Sequence, residues 1–185
     1  MTGYQCEVDW ERWTVILLKP DCLARDLLSP VLTMVEQHLS VLHVTEIFPA
    51  EEQIFAHYAD MLPLSAHLGR DVAAELRRIY VGRKAAVALG YGENAAARLR
   101  AVLGPTDPAA AGPDTIRGRY AADSLAQATA EGRLIDNLIH SSDSADVVAA
   151  DFDIWFGLDN RHLLRAPAPA PAPAPVPVPV NGEHR

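Results

Sequence analysis

His140 lies in "NLIHSSDS" (Asn137 to Ser144), behind an apolar pair and ahead of a run of small polar residues. A neutral imidazole is a good nucleophile near pH 7 and can also act as a base or metal ligand. Taken alone, a histidine at the end of a strand reads as structural. Two other stretches carry unusual side chains. In "LLKPDCLARDLL", Lys19 sits where a buried strand ends and a turn begins, placed to reach into a cleft. In "PTDPAAAGPDTIRGRY", Arg117 belongs to a proline-rich, non-periodic loop, and Arg100 lies on the helix before it. Guanidinium forks match phosphate oxygens. One nucleophile candidate, one lysine and two arginines therefore suggest chemistry on a phosphate.

Other chemistries lack their residues. There is no G-x-x-x-x-G-K-[ST] stretch for a Walker-type site, no C-x-x-C and no H-x-x-x-H. No protein metal site is expected. The net charge of −8 and pI near 5.3 argue against a nucleic-acid partner. Cys6 and Cys22 are too few for a disulfide framework. No run of eighteen apolar residues spans a membrane, and "MTGYQCEVDWERW" lacks the layout of a signal peptide. The expected location is cytoplasmic.

The elements that would position these residues follow from periodicity. "WTVILLK" reads as a buried strand stopped by Pro20, and Leu28, Val31, Leu32, Val35 and Leu39 mark a helix with Pro30 in its opening turn. "VLHVTEIF" alternates as a second strand, followed by helices from Glu51 to about Tyr58 and from about Asp71 to Val81. "KAAVALGY" is a third strand and "ENAAARLRAVLG" a helix ending at Gly104. "RLIDNLIH" predicts a fourth strand, and "SDSADVVAADFDIWF" a last helix capped by Asp143 with Asp146 in its first turn. This order predicts an α+β fold: a ferredoxin-like βαββαβ sandwich with a four-stranded antiparallel sheet covered by helices. Residues 1–12 are an N-terminal extension, 13–165 the domain, and 166–185 a Pro/Ala-rich tail in which alternating proline excludes helix and sheet.

In order, "TVILLKPD", "HYAD", "GENAAARLRAVLGPTDPAAAGPDTIRG", "NLIHSSDS" and "DIWF" closely resemble the nucleoside diphosphate kinase family, from Thr14 to Phe156. The resemblance implies that ATP donates its γ-phosphate to a nucleoside diphosphate through a phosphohistidine on His140. It matches Ser142 and Asp151 to the residues that hold the histidine, Asp151 standing where the family has glutamate. Lys19 and Tyr58 match residues near the transferred phosphate; Arg100, Thr106 and Arg117 match the phosphate clamp; Asn137 matches a residue of the ribose and lysine network. Mg²⁺ would arrive on the nucleotide. The partners implied are nucleoside tri- and diphosphates and further copies of the chain in a homo-oligomer.

The sequence departs from the family's pattern in several places. No aromatic residue occurs from Ala59 to Ile79, where the family stacks a phenylalanine on the base. The stretch between Tyr58 and Gly82 is about five residues longer than usual, and that between Gly118 and Asn137 about ten. Cys22, Asp107, Asp136 and Ser141 replace family residues. These departures motivate two alternatives: the same half-reaction with a non-standard nucleotide or small-metabolite acceptor, or an inactive relative serving as a binding or assembly module.

Overall fold

The computed structural model describes residues 8–168. The expectations for Cys6, for most of the N-terminal extension and for nearly all of the Pro/Ala tail lie outside the described residues.

Four strands and nine helices, with short 3₁₀ turns between them, make up the described residues. In chain order they are β1 (Trp13–Leu18), α1 (Pro20–Ala24), α2 (Leu28–Glu36), β2 (Ser40–Ile47), α3 (Glu51–His57), α4 (Ser65–Leu68), α5 (Val72–Tyr80), β3 (Ala85–Tyr91), α6 (Ala95–Leu103), α7 (Ile116–Tyr120), α8 (Leu125–Ala130), β4 (Ile139–Ser141) and α9 (Ala145–Trp155). The sheet order is β2-β3-β1-β4, and every pairing is antiparallel. The α+β sandwich expected from the sequence is the fold.

β1 is a continuous apolar run because both its faces are covered. Ile16 and Leu18 pack with Val31, Val35, Leu99 and Leu103 on the α2/α6 side. Trp13, Val15 and Leu17 pack with Ile54, Leu76, Tyr80, Phe152 and Trp155 on the α3/α5/α9 side. The central strand is thereby locked against a slip of one residue, which would exchange the two faces.

β2 departs from simple alternation. It is one of the two edge strands, mostly exposed, with a register break between Leu42 and Thr45 and a positive φ of 55° at His43. A bulge of this kind twists an edge strand and disrupts its ladder.

β4 is shorter than "RLIDNLIH" predicts. Only Ile139–Ser141 pair with β1, and Arg133–Leu138 are not strand. The physical reason is Leu138, whose φ of +69° cannot continue a ladder.

The segment after Gly104 contains two short helices that periodicity did not resolve, α7 and α8. Gly104 has a φ of +80°, turning the chain out of α6. At Gly118 in α7 a Cβ would fall 2.0 Å from the Gly112 carbonyl oxygen, so only glycine lets this helix dock.

Candidate active site

His140 pairs directly with Leu17 of β1. Paired residues point to the same face, so the His140 side chain lies on the α3/α5/α9 side. The strained turn before it is held at both ends. Leu138 N–H donates to Asp21 Oδ2 (3.0 Å), and Leu138 C=O accepts the Lys19 N–H (2.8 Å). The histidine and the lysine are thus fixed to one another through backbone.

The ring of His140 stands edge-to-face with His57 (centroids 4.6 Å apart) and with Tyr58 (5.6 Å). Burial, then the neighbouring His57, Lys19 and Arg117, push its pKa down to about 3, with Asp151 opposing in part. The imidazole is therefore neutral at physiological pH, with a lone pair available to attack.

Three cationic side chains approach the same space. Lys19 Nζ donates to the Ile135 carbonyl and to Asn137 Oδ1, both at 3.1 Å. Burial lowers its pKa, and Asp21 and Asp136 pull it back up. Asn137 in turn donates from Nδ2 to the Thr106 carbonyl (3.0 Å), joining the lysine to the loop after α6. Arg117 Nη1 donates to the Gly104 carbonyl and Nη2 to the Ile139 carbonyl, both at 2.8 Å, while its buried Nε has no partner. Arg100 is half exposed and pairs with Asp143. The sequence assigns Asp143 to cap the last helix. Instead Ser144 stands at the N-cap without a side-chain bond, and Asp143 faces the arginine.

Asp151 does not hold His140. Its Oδ1 lies 2.9 Å from His57 Nδ1, and no hydrogen bond contributes to the His140 shift. A carboxylate one methylene shorter than glutamate meets the nearer imidazole. Burial raises the Asp151 pKa, but hydrogen bonds from His57 and Ser142 outweigh it and hold the group below its ordinary value. Asp151 is therefore ionised, and the proton belongs on His57 Nδ1. The Trp155 indole N–H approaches that same nitrogen at 3.1 Å, and the charged partner wins it. Ser142 Oγ accepts the Val15 N–H (3.2 Å), which ties the end of β4 to β1.

His57 is the site residue that sequence reasoning passed over. Its side chain is 2% exposed and its Nε2 is buried without a partner. The signal was its place beside Tyr58 at the end of an amphipathic helix. Tyr58 itself is buried, with its hydroxyl 2.6 Å from that of Tyr80.

These residues line one cavity of about 660 Å³, which takes in Lys19, His57, Tyr58, Arg100, Thr106, Arg117, Asn137, His140 and Asp151. Of the departing positions, Ser141 lines it, whereas Asp136 does not. Asp136 lies 4.0 Å from Arg133 and donates its N–H to Asp123. Cys22 is wholly buried and its thiol is pushed up to about 12, chiefly by burial, which leaves it unreactive.

Met61, Leu76, Ile79, Leu134 and Ile135 form an apolar part of the same cavity's lining. Here the segment before β4 is stitched to the α4/α5 arm. Glu75 Oε2 accepts the Leu134 N–H (2.9 Å), Arg78 reaches the Leu134 carbonyl (3.4 Å), and Arg70 bonds the Arg133 carbonyl. Arg133 is itself clamped to Asp123, whose carboxyl its hydrogen bonds hold down at about 2.

A neutral, partly buried histidine sharing a cavity with a lysine and two arginines, with no cluster of three metal-ligating side chains among the described residues, is suited to moving a phosphoryl group. Comparison with known proteins agrees. The family model described as nucleoside diphosphate kinase matches residues 12–160. A nucleoside diphosphate kinase of Pyrobaculum aerophilum is 28% identical over 171 residues, covering 77% of this chain and 93% of its own. One from Streptococcus thermophilus is 28% identical over 145 residues, covering 78% and 97%. Among solved structures, the Borrelia burgdorferi nucleoside-diphosphate kinase with bound vanadate and ADP superposes with a TM-score of 0.72, covering 80% of this chain and 88% of its own. At 24% identity it speaks for the fold. Sheet order, the histidine-centred cavity and these matches converge: the chain belongs to the nucleoside diphosphate kinase family, and it is a phosphotransferase of that kind.

Proposed function

We propose that the enzyme moves the γ-phosphate of ATP to a nucleoside diphosphate by a ping-pong route through His140. The observation that carries this reading is the neutral, partly buried His140 imidazole in one cavity with Lys19 and Arg117. In the first half-reaction a ring nitrogen attacks the γ-phosphorus. The bond from phosphorus to the β–γ bridging oxygen breaks, and ADP leaves with that oxygen. In the second, a terminal phosphate oxygen of the acceptor attacks the phosphohistidine and the N–P bond breaks. Lys19, Arg100 and Arg117 neutralise the charge spread over the equatorial oxygens; Thr106 and Asn137 fix the loop and the lysine; Tyr58 lends an O–H. His57, held by Asp151, and Ser142 keep the histidine in place. Mg²⁺ comes with the donor, bridging its phosphates, and is part of the substrate. A cytoplasmic homo-oligomer goes with this reading, supported by family membership.

A second reading concerns the acceptor. No aromatic residue lies from Ala59 to Ile79, and the arm is hydrogen-bonded to Leu134. Both favour an acceptor other than a common stacked nucleotide, with the donor half-reaction unaltered.

Steady-state kinetics with ATP·Mg²⁺ and a panel of nucleoside diphosphates test the reading. Parallel double-reciprocal lines are expected for donor and acceptor. Intersecting lines would contradict a phosphoenzyme. Wild-type enzyme that takes phosphate from ATP yet passes it to no common diphosphate would select the second reading.

A further inference from the structure

Two phenols meet beside His140. Tyr58 follows α3 and Tyr80 closes α5, and their oxygens are 2.6 Å apart. Tyr80 is the first aromatic residue after the gap from Ala59 to Ile79. Both line the cavity, Tyr80 with no exposed surface and Tyr58 with 8%. Burial raises both pKa values, so both hydroxyls keep their protons. The oxygen–oxygen contact uses one proton of the two. Neither hydroxyl bonds another described residue, so one O–H is left over in a buried place. An unpaired buried donor is expensive, and it is relieved by an acceptor that arrives from the cavity.

Position decides which proton is spare. The Tyr58 ring lies 5.6 Å from the His140 ring, and Tyr58 alone of the pair has solvent-exposed surface. Tyr80 stands behind it. The less costly arrangement has Tyr80 donating to the Tyr58 oxygen, which leaves the Tyr58 O–H facing the cavity.

We propose that Tyr80 is a positioning residue for phosphoryl transfer: its O–H donates to Tyr58 and so aims the Tyr58 O–H at the phosphoryl oxygens beside His140. This rests on the phosphotransfer reading above. Tyr80 touches no substrate and acts only through Tyr58.

Single-turnover labelling of the full chain by γ-labelled ATP·Mg²⁺ tests it, on wild type, Tyr80→Phe, Tyr58→Phe and the double variant. Each change removes one oxygen and keeps the ring, and removing both leaves an apolar pair of the same shape, so the fold is retained. Tyr80→Phe should lower the maximal labelling rate about three- to tenfold, the worth of one hydrogen bond, with half-saturating ATP unchanged. In the Tyr58→Phe background, the same change should do nothing more. A wild-type rate in Tyr80→Phe overturns the inference alone. So does an equal further loss in the Tyr58→Phe background, which would mark a packing role. A wild-type chain that takes no label overturns the phosphotransfer reading, and this inference with it.

Discussion

The two ends of the cavity are held by different parts of the molecule. At the proposed phosphate end, His140 lies in β4 and Lys19 follows β1, while Arg117 on α7 is held by the carbonyls of Gly104, at the end of α6, and of Ile139, in β4. At the arm end, the wall is made by α5 and the segment before β4, joined by hydrogen bonds between side chains and loop backbone. The first arrangement is anchored mainly in the sheet, with the Ile135 carbonyl of the segment before β4 as a further partner of Lys19. The second depends on a few exposed or half-exposed polar contacts, each worth little on its own. A scaffold of this kind can keep its reaction while its choice of acceptor drifts.

If that contrast is right, damage at the phosphate end should abolish transfer and damage at the arm end should only redirect it. The largest effect below His140 itself is expected at Arg117. Arg117→Met should cut the labelling rate by about 10²–10³, the usual loss for one donor to developing charge, measured by single turnover. Weak binding of ATP with an unchanged rate would instead make Arg117 a ground-state contact.

The phosphate end should also resist acid. A free imidazole titrates near 6.5, but His140 is held down at about 3. Labelling should therefore persist from pH 8 to 5.5, where a free imidazole would lose about nine-tenths of its neutral form. Stability carries the same sign. A depressed histidine pKa favours the fold fully above pH 6.5, and this contribution is lost as pH falls from 6.5 toward 3, at up to about 1.4 kcal/mol per pH unit. Urea titrations of wild type and His140→Gln should show the variant less sensitive across that window.

At the arm end, Arg133→Ala frees Asp123 and loosens the strap on α5. It should change the acceptor KM by about two- to tenfold and leave the labelling rate alone. Equal losses in both half-reactions would dissolve the contrast. The smallest effect is expected at Asp136, which faces Arg133 and lies outside the cavity wall. Asp136→Asn should alter either half-reaction by about threefold at most, because this part-buried charge acts on the site only from a distance, by supporting the charge on Lys19.

The sheet was legible because β1 is buried throughout and β3 up to Tyr91, and burial writes itself as runs that are almost wholly apolar. The motif residues were legible as types in order. What sequence could not supply was contact. Asp151 looked like a partner for His140, but one methylene decides which of two imidazoles it reaches, and His57 is the nearer. Asp136 stood out as a replaced family residue, but only contacts show that its N–H is taken by Asp123 and that its charge reaches Lys19 from outside the cavity wall. β4 read as eight residues because Leu134, Ile135, Leu138 and Ile139 are apolar, and a left-handed Leu138 has no signature in side-chain pattern. Tyr80 falls inside the helix expected to about Val81 with nothing in its spacing to single it out, and only its hydroxyl's neighbour does so.

The direct test is covalent. Wild-type enzyme and His140→Ala are incubated with γ-labelled ATP·Mg²⁺ and quenched before any acceptor is added. The account predicts label on wild type that is lost in acid and kept in alkali, as a phosphohistidine behaves, and none on the variant. Label that survives His140→Ala would contradict it.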